Sequence, residues 1–174
     1  MDPNPYRTPA AKVDAVDAAA ADSAGPRGFG GWLILPMLGL IITPFRMLFQ
    51  FVQELLPIFT GPAWQTVTTP GTGAYHPMWA PLLLFELIGN IAVFAFTLVL
   101  LVQFFRKSRW VPRLYIIWLL CLVAVQGVDW ILGAQIPTVA EQNDFKELFR
   151  AIVGAAIWVP YFNVSKRVRN TFVD

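Results

Sequence analysis

Charge is scarce in this chain. Only 14 % of its 174 residues are Asp, Glu, Lys or Arg, and 56 % are hydrophobic. Soluble domains carry about 25 % charged residues, and one small core cannot hide so large an apolar surplus from water. Histidine and cysteine are scarcer still, with one of each, His76 and Cys121. A single cysteine excludes an intrachain disulfide and a CxxC redox pair. A single histidine excludes a bis-histidine haem and a His-rich metal cluster within one chain. It also leaves no credible Ser/His/Asp set, so no catalytic residue, metal ligand or cofactor is expected. A net charge of +2 is too small for a nucleic-acid footprint.

What is present are apolar runs. Crossing about 30 Å of hydrocarbon takes about 20 residues, and four stretches approach that length: 31–51, 79–105, 113–133 and 147–164. The first can continue as an amphipathic end to Phe59, and the fourth is the shortest. Pro81 and Pro112 sit in first-turn positions that tolerate proline. Pro36 and Pro44 are interior to the first run and should bend it. The expected fold is an all-α membrane protein with four transmembrane helices, occupying residues 28–172. Ahead of it, residues 1–27 form an Ala-, Asp- and Pro-rich tail too polar to bury a core, hence disordered and cytoplasmic. Its DPNPYRTP start reads either as a docking motif or as a plain solubilising tail.

Basic residues fix an orientation. Arg106, Lys107, Arg109 and Arg113 lie between the second and third runs, and Lys166, Arg167 and Arg169 close the chain. The other two loops hold almost no Lys or Arg. The positive-inside rule then places both termini in the cytoplasm. These seven residues are the expected contacts to anionic lipid head groups, each attracted by about 1 kcal/mol.

Three segments resemble a known family when taken together: GFGGWLILPMLGLIITP, FFRKSRWVPRLYI and YFNVSKRVRNTF. The set is similar to a family of small four-helix bacterial inner-membrane proteins classed as a domain of unknown function. The likeness runs from Gly28 to Phe172. It implies four helices and a multi-pass place in a bacterial inner membrane, and it brings no activity, cofactor or catalytic residue.

Four ionisable groups fall inside the runs: Arg46, Glu86, Asp129 and Arg150. Such groups are costly in a bilayer and are functional hypotheses by default. At 1.5 Å per residue, Arg46 and Asp129 lie roughly 22 and 24 Å above the inner face, and Glu86 and Arg150 roughly 10 and 5 Å below the outer one. All four share the outer third. If turned inward they form a balanced cluster, extended by Gln50, Asn90 and Gln126, and hence a polar cavity opening to the periplasm. The competing reading is structural: snorkelling arginines, neutral carboxylic acids, or pairs that only fix helix neighbours. Two functions follow. One is an accessory or scaffold protein binding the lipid bilayer, another membrane protein or a second copy of itself. The other is a transporter or channel subunit built on the cluster. An acid–base enzyme using Glu86 and Asp129 has no placed substrate.

Overall fold

In the computed structural model the described residues are 25, 27–141 and 145–173. The expected disordered tail, with its DPNPYRTP segment, falls outside them apart from Gly25 and Arg27. The described residues are helical, with no strand among them.

Helix α1, Gly31–Thr60, is one continuous 30-residue element. It opens with a 3-10 turn, Gly31–Leu33, and widens into a π-helical turn at Phe51–Leu55. Pro44 sits inside it and has no N–H to offer the carbonyl of Leu40. Thr43 hands its hydroxyl to Gly39 O, 2.7 Å away, so the same stretch is bonded through a side chain. A short helix α2, Ala63–Thr68, lies in the following loop. Helix α3, Trp79–Phe105, and helix α4, Val111–Gly133, are the next long elements. A four-residue turn of helix, α5, Pro137–Ala140, precedes α6, Lys146–Val164, and a last short helix, α7, Lys166–Thr171.

Three of these are long and apolar enough to cross a membrane: α1, α3 and α4. The fourth expected run does form a helix, α6, but it is not among the three. Its first turns hold Lys146, Glu147 and Arg150, which leaves about 14 residues, roughly 21 Å, for hydrocarbon.

The long helices pack in sequence order, α1 on α3, α3 on α4, α4 on α6. The core runs through Leu33 and Leu40 of α1, Leu100 and Phe104 of α3, Tyr115, Trp118 and Leu119 of α4, and Phe162 of α6. Tyr115 stacks on Phe162 with ring centroids 4.2 Å apart. Trp118 donates its indole N–H to Thr97 Oγ1 at 2.9 Å, and Thr97 passes its own proton to Val93 O at 2.7 Å. Elsewhere the helices turn large apolar side chains outward, among them Phe45, Phe49, Ile88, Val99 and Leu120. An outer surface of this kind suits lipid.

The end carrying the basic turn is knitted together by aromatic rings and glycine. Phe104, fully buried, stacks on Phe29 at 5.4 Å and meets Phe172 edge-on at 5.0 Å. The amide of Gly28 donates to Thr171 Oγ1 at 2.9 Å. Gly31 has φ +56°, and the Arg167 guanidinium lies 3.5 Å from where its Cβ would be. Left-handed backbone costs an L-residue about 1–2 kcal/mol. Gly31→Ala is therefore expected to destabilise the fold by about 1 kcal/mol, read as a lower midpoint of thermal unfolding in detergent. An unchanged midpoint would mean that this backbone conformation is not held in the folded protein.

Candidate functional site

The seven polar residues expected in one outer cluster divide into three settings in the half of the bundle away from the basic turn. In the first, Glu147 stands between two guanidiniums. It is ion-paired with Arg150, one turn along α6, and Arg46 Nη2 of α1 reaches its Oε2 at 3.8 Å. These side chains are about half exposed, 56 % for the arginines and 47 % for Glu147, which limits such a pair to about 0–1 kcal/mol. Arg46 thus has its partner on α6, while Glu86 and Asp129 stand apart from it.

In the second setting, Glu86 of α3 and Asp129 of α4 come close enough across the helix interface to act on one another electrostatically. Glu54, from the π-helical turn of α1, is close enough to act on Glu86 electrostatically. Oδ1 of Asp129 is buried and has no partner among the described residues.

The third setting faces outward. Gln50 and Asn90 are exposed, and Gln126 is half-buried. Gly89 meets Val125 of α4, so the neighbouring Asn90 is rotated away from α4. Asn90 lies instead in a groove between α1 and α3 of about 200 Å³, lined also by Met47, Leu48, Phe51, Ile91 and Phe94. Apart from Asn90 this lining is apolar. Among the described residues no three His, Cys, Asp or Glu side chains gather as metal ligands.

At the basic end, Arg106, Lys107, Arg109, Arg113, Lys166 and Arg169 are exposed, and Arg167 is half-buried over Gly30 and Gly31. Lys107 takes a left-handed conformation at φ 54° as the chain leaves α3, and its ammonium lies 5.6 Å from the Phe29 ring centroid. Arg109 and Arg113 both approach the Trp110 ring, at 5.9 and 5.8 Å. The three familiar sequence segments thus converge on one place. The opening one supplies Phe29 and the glycines, the middle one Phe104 and Lys107, and the closing one Arg167, Thr171 and Phe172.

Residues 26–173 match a family described as a protein of unknown function, DUF2569. The chain belongs to that family. It is also 32 % identical over 153 residues to "Inner membrane protein YdgK" of Escherichia coli (strain K12), an alignment that covers 86 % of this chain and 96 % of that protein. No solved structure matches the chain. Family, relative and apolar helices together make this a multi-pass inner-membrane protein. Two acidic residues near the expected cluster were not anticipated from the sequence. Glu147 could have been found from its spacing to Arg150, three residues and one helical turn. Glu54 lies past the apolar run, in a segment that reads as an amphipathic end.

Arg46→Gln is expected to lower stability by no more than about 1 kcal/mol, because the pair it breaks is half exposed. The midpoint of thermal unfolding in detergent measures this directly. A collapse of the fold would mean that the ion pair is shielded from solvent as the geometry says it is not.

Proposed function

We propose that the protein is a small accessory protein of the inner membrane that binds another membrane component through its intramembrane face. One observation carries this reading: Asn90 lies on the outer surface of a membrane-spanning helix, where hydrocarbon cannot satisfy an amide. A self-contained bundle would turn such groups inward. The reading includes α6 as a fourth span with both termini on the cytoplasmic side. The packing of α6 on α4 supports the span, and the basic residues gathered at one end support the orientation. Arg106, Lys107, Arg109, Arg113, Lys166 and Arg169 then meet anionic head groups of the cytoplasmic leaflet.

A photo-reactive amino acid placed at Leu48 in living cells tests the binding reading. A discrete adduct, lost on Asn90→Leu, is the expected result, and labelling of lipid alone would sink it. Membrane-impermeant thiol labelling of single cysteines in a Cys121→Ala background checks the topology. Positions 72 and 135 should react from outside, and 108 should not.

One observation favours a second reading, a transporter or channel subunit. Glu86 and Asp129 share a helix interface in which Asp129 Oδ1 is unpartnered, as in a site that takes up and releases a proton or cation. In proteoliposomes that reading requires a proton or cation flux that Asp129→Asn abolishes.

A further inference from the structure

We propose that the partner on the α1–α3 groove is a second copy of this chain, held by a hydrogen bond between the Asn90 side chains of the two copies. This deepens the accessory reading above and rests on it, since it names what covers the same intramembrane face.

Asn90 is the twelfth residue of the 27-residue helix α3, about 16 Å from one end and about 22 Å from the other. It therefore lies close to the bilayer midplane, where no water or head group reaches. Its side chain is exposed and forms no hydrogen bond among the described residues. An acyl chain could fill the groove, but it would leave both the carbonyl and the NH2 of the amide unsatisfied. The occupant must therefore bring its own donor and acceptor to this depth.

A second copy does so by symmetry. Copies inserted with the same topology are related by an axis along the membrane normal, and such a two-fold keeps every residue at its own depth. Asn90 then faces Asn90 of the other copy. An amide is its own complement, because each carbonyl can accept from the opposite NH2 and two hydrogen bonds close. The remaining groove wall gives the facing helix apolar contacts on Met47, Leu48, Phe51 and Phe94. Phe51 opens the π-helical turn of α1, a local widening of a kind frequent at functional sites.

The test uses the full chain in native membranes, in a Cys121→Ala background, with Ile91→Cys as the reporter in the groove. Ile117→Cys, exposed on α4, is the control. Oxidation is expected to give a dimer of this chain from Ile91→Cys and none from Ile117→Cys. Adding Asn90→Leu should lower the dimer fraction about tenfold, in line with one to two interhelical hydrogen bonds in a membrane. Adding Asn90→Gln, which keeps the amide, should retain most of it. Unfolding of each variant in detergent is followed in parallel, and a dimer loss that merely tracks a loss of fold overturns the proposal. Equal linking from both reporter positions, or no change on Asn90→Leu, also overturns it. No dimer from Ile91→Cys, together with a photo-adduct at Leu48 only to a protein of different mass, overturns self-association but leaves the accessory reading standing. No dimer from Ile91→Cys and no protein photo-adduct at Leu48 overturns both.

Discussion

Phe104→Ala is expected to destabilise the protein by about 3–5 kcal/mol, the usual cost of emptying a well-packed phenylalanine site. Phe104 is fully buried, and its ring is shared by Phe29 ahead of α1, Phe105 beside it and Phe172 after α7. Lipid cannot repair the loss. The void would be walled by protein on every side, unlike a truncation on the outer faces, where an acyl chain simply moves in. The rings also join three separate parts of the sequence, so removing the central one loosens both ends of the chain together. Reversible unfolding in mixed micelles measures the effect, and Phe104→Leu should recover a good part of it by refilling volume. A loss below about 1 kcal/mol from Phe104→Ala would show that the site collapses freely, against the packing described.

Thr97→Val is expected to cost about 1–3 kcal/mol, although it changes hardly any volume. It removes the acceptor of the Trp118 indole N–H, 2.9 Å away, at a position where Thr97 is fully buried and Trp118 is 4 % exposed. The penalty is that of an orphaned donor rather than of a lost contact. Trp118→Phe in the Thr97→Val background removes the donor too, and should lose less than the two single changes added together. Strict additivity in that double-mutant cycle would mean that the hydrogen bond contributes nothing. Both residues lie between α3 and α4, so near-ultraviolet circular dichroism of Trp118 gives an independent reading of the same interface.

The positions of the helices were legible because a bilayer demands length. The runs at 79–105 and 113–133 became Trp79–Phe105 and Val111–Gly133, and 147–164 became Lys146–Val164. The first run extended to Thr60, since its amphipathic end simply continued as helix through a π turn. Rotation was not legible. In water a helix declares its inner face by apolar spacing, but in lipid both faces are apolar and the periodicity fades. For that reason Arg46 could be placed in depth and still be assigned the wrong companions. Its true partner, Glu147, was visible only as the head of a helix. Asn90, expected inside, proved to face outward for the same reason. The glycines ahead of α1 carried another signal. Their role shows only in the fold, where Arg167 lies over Gly30 and Gly31.

The hydrogen bond from Gly28 to Thr171 spans 143 residues. A ribosome adds about 5–20 residues per second, so the first partner waits roughly 7–30 s for the second. During that interval Phe29 and Phe104 lack Phe172, and the glycines lack Arg167. Ser165, which accepts from Val168 to cap α7, is likewise made after all the long helices. Completion of this end therefore waits for α7, and a chain that stops short of it carries an open aromatic seam.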